Sequence, residues 1–197
     1  MSLDIMNLFD LINTNIQGRL ALANNAECEL LYKYAQTPGN HLELGTLWGG
    51  SAIVAGLAKI KYDNSHKVYT VDFMQGGYWN SGDPGCNLKI PTMKTILDNI
   101  EMFKLNCFVT SIKESTNPIP VNIKPTTVLI DAGHSFEDCL KDWNNVKELK
   151  PKFVLFHDYN TGKHPGVQRV VDEVVKLDNG WKEVEAVNTM IVFERIA

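Results

Sequence analysis

Apolar positions along the chain switch between a helical spacing and short continuous runs, and the two kinds of segment alternate. Residues 4–22 place Ile5, Leu8, Leu11 and Ile12 at roughly helical intervals, and residues 26–34 carry a second helical pattern before Pro38-Gly39-Asn40 breaks the chain. Residues 41–46 read as a first strand, followed by a glycine turn and a helix that Ser51 is expected to cap, running to about Ile60. Further apolar runs predict strands over residues 67–73, 107–111, 126–131 and 152–156. Pro91 suits the first turn of a helix that turns Ile96, Ile100 and Phe103 inward. Ser135, with Asp138 three residues on, opens another helix whose apolar stripe is Phe136, Cys139, Leu140 and Trp143. Pro165 begins a third, with Val167, Val170, Val171, Val174 and Val175 on one face and Asn179-Gly180 as its stop. The last two strands, residues 181–186 and 189–194, are joined by Val187-Asn188, too short for a parallel crossover.

This pattern predicts an α/β chain: a doubly wound, Rossmann-like, mostly parallel seven-stranded sheet with a C-terminal antiparallel hairpin. One domain over residues 1–197 is expected, with the N-terminal helices of residues 1–36 covering the cofactor or substrate side. A dinucleotide-binding domain would more often continue with another strand-helix-strand unit instead of closing on a hairpin.

Composition narrows the partners. The net charge is −4 and no run of Lys or Arg occurs, so nucleic acid is not expected. The apolar stretches are too short to span a bilayer, and no charged region followed by an apolar one marks the N-terminus as a signal peptide; a cytoplasmic location without membrane contact is expected. Cys28, Cys86, Cys107 and Cys139 show no C-x-x-C spacing, which fits reduced thiols better than a zinc or redox motif. Assembly into a homo-oligomer is left open.

Chemistry concentrates where the predicted strands end. After the first strand comes Glu43-Leu44-Gly45-Thr46-Leu47-Trp48-Gly49-Gly50-Ser51. Glycines at such an edge let backbone approach a ligand closely. The G-x-x-x-G pattern lacks the middle glycine of G-x-G-x-x-G, which disfavours a pyrophosphate and fits a cofactor with no phosphate between its halves. Glu43 can pair with a cationic amino-acid moiety, directly or through water; the alternative is a tight turn with no ligand. Asp72, at the end of the second strand, can accept hydrogen bonds from both hydroxyls of a ribose. Asp131 and Asp158 end the fourth and fifth strands, with His134 and His157 close by. These groups can hold a divalent metal that chelates a substrate's oxygens and acidifies a hydroxyl, or line the pocket as a polar network without one. His134 is a candidate general base or a residue that orients the loop of residues 131–136. Residues 74–90 form a long, unpatterned stretch with Gly76, Gly77, Gly82 and Gly85; a lid is expected there, in which Tyr78 and Trp79 either stack on a planar substrate or anchor the loop. His41 and His66 are expected to be structural, and His164 either reaches the pocket or starts the helix at Pro165.

The segments HLELGTLWGGSA, VYTVDF, VLIDAGHSFEDCLKDW, FVLFHDY and HPGVQRVVDEV, in that order, resemble the class I S-adenosylmethionine (SAM)-dependent methyltransferases, in the family that includes small-molecule O-methyltransferases and cephalosporin-hydroxylase-like proteins. The resemblance covers residues 41 to the C-terminus. It implies SAM as cofactor and a small-molecule methyl acceptor as partner. It places Glu43, Gly45, Gly49 and Ser51 around the methionine part of SAM, Asp72 on the ribose and Ser111 near the adenine; Thr46, in the same turn, is also expected to bind the cofactor. From the strand ends themselves, Asp131, His134 and Asp158 are the expected catalytic residues. Metal-dependent members carry one acid after the fourth strand and an acidic or amide pair after the fifth; Asp131, His157 and Asp158 stand nearest that set, for Mg2+ or Mn2+, although His157 departs from it. The readings that compete are an NAD-dependent oxidoreductase and a non-catalytic binding module with the same fold.

Overall fold

The computed structural model describes residues 5–17, 24–62, 65–74, 91–120 and 122–196. The expected lid, residues 74–90, lies outside them except for Met74, as do Tyr78, Trp79 and Cys86.

Two helices, α1 (Ile5–Asn15) and α2 (Asn25–Ala35), precede β1 (Asn40–Leu44) and α3 (Gly50–Tyr62). Then follow β2 (Val68–Asp72), α4 (Met93–Met102), β3 (Val109–Lys113), β4 (Pro125–Ile130), α5 (Phe136–Glu148), β5 (Phe153–Phe156) and α6 (Pro165–Val170). The chain continues from α6 into a π-helical turn over Val171–Val175 and closes with β6 (Trp181–Val187) and β7 (Met190–Arg195). The sheet order is β3-β2-β1-β4-β5-β7-β6, parallel throughout except that β7 runs antiparallel to both of its neighbours. This is the doubly wound sheet with a terminal hairpin that the hydrophobic pattern predicts. The hairpin's second strand inserts beside β5, so its first strand becomes the edge.

Because side chains alternate across a strand, each strand feeds two cores. Leu42, Leu44, Val128, Ile130, Val154, Phe156, Ile191 and Phe193 pack against α5 and α6. Leu129, Leu155, Met190 and Val192 face the opposite layer, with Ile53, Ala55, Ile96 and the apolar residues of α2. On that second face β1 offers only His41 and Glu43, both buried. His41 lies toward the amino edge, 2.8 Å from Thr127 Oγ1, and burial together with the charge of Lys59 pushes its imidazole down to about 3. It is a neutral core histidine. Glu43 lies toward the carboxyl edge, where the site forms.

Several boundaries differ from expectation for local reasons. The helix α1 spans Ile5–Asn15, shorter than the periodicity over residues 4–22. Ser51 does not cap α3: Gly49, at φ +83°, turns the chain early enough for the helix to begin at Gly50, and Ser51 is buried in its first turn. Pro91 precedes the N-cap of α4, which is Thr92, accepting from Thr95 N at 3.1 Å. Ser135 caps α5 as expected, accepting from Asp138 N at 3.1 Å and donating to Asp138 Oδ2 at 2.7 Å.

Candidate active site

The sheet order reverses direction between β1 and β4, and open α/β sheets bind ligands at such a switch point, outside the carboxyl ends of their strands. A cavity of about 620 Å3 opens there. Gly45, the pair Asp72–Phe73, residues 115–117 and residues 132–134 are among those that line it. Gly45 is required by close approach. It sits at φ +92°, and a Cβ there would stand 2.0 Å from the carbonyl oxygen of Asp131.

Asp72 is buried and organises the turn after β1. Its Oδ2 accepts from Thr46 N at 2.7 Å and Leu47 N at 3.1 Å, and its Oδ1 accepts from Met74 N at 2.7 Å. These bonds hold Leu47 in the left-handed region, at φ +47°. A carboxylate has about four acceptor positions, so capacity remains toward the cavity that Asp72 lines. Glu43, behind the turn, is in the opposite condition. It is fully buried, and neither carboxylate oxygen has a well-formed hydrogen bond among the described residues. Burial pushes it up to about 8; the hydroxyls of Ser51 and Thr70 offset this only partly, and the charges of Asp131 and Asp72 add to it.

The other residues implied near the cofactor divide. Thr46, Gly49 and Ser51 surround the turn without lining the cavity, the Thr46 hydroxyl contacting that of Thr70. Ser111 does not reach it: parallel register pairs it with Thr70 inside β3, and the strand continues to Lys113. Ser115, Thr116 and Asn117 occupy the corresponding wall, and Thr116 donates to the buried Asp142 at 2.7 Å. Phe73, half-exposed, also lines the cavity.

A second group of polar residues adjoins this cavity. Asp131 Oδ1 lies 3.1 Å from Nδ1 of the buried His157, and Glu27 Oε2 lies 3.6 Å from the other ring nitrogen. Glu27, in the first turn of α2, is itself fully buried; its Oε1 accepts from Thr189 N at 2.9 Å and Thr189 Oγ1 at 2.7 Å. Burial works against charge on both partners, but their mutual pairing prevails. The carboxylates around His157 hold it well above the usual imidazole range, and His157 with Thr189 holds Glu27 down at about 2. Asp158, at φ +60°, turns out of β5 and meets His134 Nε2 at 2.9 Å and His164 Nε2 at 3.7 Å. The two imidazoles stack with centroids 4.1 Å apart. They come together because α6 packs on the loop before α5 through Gly166, where a Cβ would stand 2.4 Å from the carbonyl oxygen of His134. Against the opposing effect of burial, Asp158 raises His134 and the histidines lower Asp158; burial and the neighbouring His134 lower His164.

Asp131 and Asp158 thus stand on one edge, with His157 Nδ1 3.7 Å from Asp158 as well. The donor atoms of the metal set expected from sequence, Asp131, His157 and Asp158, lie within 4.8 Å of one another. Both ring nitrogens of His157 face carboxylates, Asp131 at Nδ1 and Glu27 at the other. Glu27 was not anticipated; its helix shows an ordinary mix of polar and apolar residues, and its partners are 130 or more positions away.

No protein-family model and no curated protein matches the chain. Solved structures do match in fold. An O-methyltransferase from Bacillus cereus in complex with SAH (S-adenosylhomocysteine) superposes with a TM-score of 0.64 at 14% identity, over 97% of this chain and 90% of that one. An SAH-bound methyltransferase from Podospora anserina gives 0.68 at 10% identity, over 98% and 88%. An rRNA methylase from Streptococcus thermophilus gives 0.58 at 10%, over 88% and 96%. The architecture is the class I methyltransferase fold, in the form these enzymes share. Among these matches the fold occurs in an rRNA methylase as well as an O-methyltransferase, so it does not by itself define a function.

Proposed function

We propose that the protein is a SAM-dependent methyltransferase acting on an oxygen of a small molecule. The observation that carries this reading is the pairing of a switch-point cavity with Glu43, a buried carboxylate that lacks a counter-charge. When bound, SAM supplies a methyl group on a cationic sulfur. Glu43 would gain the amino-acid moiety's positive charge as partner, directly or through water. Asp72 would use its remaining acceptor capacity on the ribose while still holding the turn. Phe73 offers a ring face to a planar base, and residues 115–117 offer polar atoms to its edge.

Catalysis in this reading rests on placement and on one proton. The acceptor's hydroxyl would stand beside His134, which lines the cavity. Asp158 sets the orientation and raises the basicity of that imidazole, as a carboxylate partner does for a general base. The carboxylates around His157 favour its protonated form, which would offset the repulsion between Asp131 and Asp158. Alignment of oxygen, methyl and sulfur supplies the remainder.

The strand order weighs against an NAD enzyme, because a dinucleotide fold continues in parallel where this chain inserts antiparallel β7. Buried Glu43 also offers a pyrophosphate no positive charge. The test is a thermal shift with SAM, SAH and NAD in parallel. Stabilisation by SAM and SAH, with none by NAD, is expected. Stabilisation by NAD alone would overturn the reading. Equal, negligible shifts with all three, repeated by calorimetry, would leave a binding module of another kind. Location in the cytoplasm fits this reading; among the described residues, no helix is long and apolar enough to cross a membrane.

A further inference from the structure

We infer that His134, His164 and Asp158 form a seat for one divalent transition ion of the zinc class, distinct from the set that the strand ends suggest in sequence. Three observations carry this. The donor atoms lie within 4.8 Å of one another, and both imidazoles present the same nitrogen, Nε2, to the same oxygen, Asp158 Oδ2, at 2.9 and 3.7 Å. Bonds of about 2.0–2.1 Å to a tetrahedral ion place neighbouring donors roughly 3.3–3.5 Å apart, a value the two measured separations bracket. Next, the buried Nε2 of His134 has no hydrogen bond of acceptable geometry, and its near neighbour is a carboxylate oxygen, Asp158 Oδ2. Last, two built features hold the arrangement. Gly166 admits the backbone of His134 at a distance that any Cβ would block, and Asp158 occupies a left-handed conformation that aims it out of β5.

Two imidazoles with one carboxylate form a donor set that suits zinc, cobalt or nickel, whereas magnesium takes oxygen ligands. Three protein ligands leave a fourth position, and His134 belongs to the cavity wall. The inference rests on the methyl-transfer reading for its purpose. Bound there, the ion supplies Lewis acidity that lowers the pKa of a coordinated hydroxyl, the task His134 performs alone in the metal-free protein.

The test uses the whole protein, stripped by chelator and dialysed. Zn2+ and Mg2+ are titrated by calorimetry, and Co2+ by its visible absorption. One Zn2+ per chain is expected, with a cobalt spectrum of four-coordinate type and weaker uptake of Mg2+. His164→Ala should weaken Zn2+ binding by more than about 100-fold, beyond the 10–100-fold that loss of an outer-shell partner costs. Asp131→Asn, outside the set, should weaken it far less. His164 is partly exposed, so its variant is expected to fold, and its melting curve checks this. The inference is overturned if the wild type takes up no Zn2+, if His164→Ala binds as the wild type does, if Asp131→Asn loses the ion equally, or if Mg2+ binds as tightly as Zn2+. SAH binding, measured on the same stripped protein, reports on the methyl-transfer reading separately. Zn2+ uptake without SAH binding keeps the seat and sinks that reading, and the converse keeps the reading alone.

Discussion

Replacing Glu43 with glutamine should stabilise the ligand-free protein, by an amount that grows with pH. The carboxyl is buried without a well-formed hydrogen bond, and burial raises it from 4.5 to about 8. A raised carboxyl value means that the folded state binds the proton more tightly than the unfolded chain does. Stability is therefore greatest below the unfolded value and falls as pH climbs from about 4.5 toward 8. At pH 7 the unfolded chain is ionised and the folded chain mostly is not, which costs about 3 kcal/mol; the full gap corresponds to about 5 kcal/mol, reached above pH 8. Glu43→Gln keeps the shape and removes the ionisation. The stability difference between variant and wild type should grow by about 3 kcal/mol between pH 4.5 and pH 7, or roughly 6–12 °C in melting temperature for a chain of this size. Urea denaturation at a series of pH values measures it. Binding of a cationic ligand should restore the charge, so calorimetry at pH 7 in buffers of differing ionisation enthalpy should find about one proton released per SAM bound. A stability difference that stays flat from pH 4.5 to 8 would refute the argument at its root, since the burial of an unpaired charge is all it uses.

Three further substitutions probe other parts of the site. Gly45→Ala forces a Cβ to 2.0 Å from the Asp131 carbonyl oxygen at a positive φ, so a loss of about 3 kcal/mol or more in stability is expected, read by denaturant unfolding. Glu27→Ala strands the His157 imidazolium and both Thr189 donors, and should cost about 3–5 kcal/mol, with unfolding at milder acid than the wild type. The pH direction follows from its lowered carboxyl, whose stabilising effect is present above pH 4.5 and lost as pH falls toward about 2. Phe73→Ala should leave stability within about 0.5 kcal/mol and weaken SAH binding by about 1–2 kcal/mol, or roughly 5–30-fold by calorimetry; unchanged affinity would remove Phe73 from the site.

The strands and helices were legible because each carries its period openly. Leu42 and Leu44 on one face of β1, and Val128 and Ile130 on the same face of β4, are signals contained within a few residues. The carboxyl-edge acids were legible for the same reason, since Glu43, Asp72, Asp131 and Asp158 each fall at or near the end of an apolar run. What sequence could not reveal depends on register and on distance. The resemblance implies Ser111 near the adenine, with the apolar pattern starting the third strand at residue 107. The observed strand begins at Val109, where Leu105 and Phe108 still close the preceding turn, and the cavity wall moves on to Ser115. Glu27 pairs with Thr189 across 162 positions, and no local pattern in α2 distinguishes a buried carboxylate from a solvated one. The meeting of His134 with His164 depends on Gly166, whose need for close packing is visible only once α6 rests on the loop before α5.

The four acids of the carboxyl edge differ in how their charge is met, and that difference bears on the ligand. Asp72 is satisfied by three backbone N–H groups, Asp131 by His157, and Asp158 by His134. Among the described residues, Glu43 alone of the four has no cation or well-formed hydrogen bond, only the partial help of the Ser51 and Thr70 hydroxyls, although it is the most deeply buried of them together with Asp72. An apolar residue of similar size would pack this face of β1 without the cost of desolvation. The carboxyl is therefore best explained by a partner that arrives from outside. An anionic ligand would deepen its predicament, and a neutral one would leave it unchanged. A ligand with a positive charge at the amino-acid end removes it, and the cavity beside Gly45 is where such a ligand would enter.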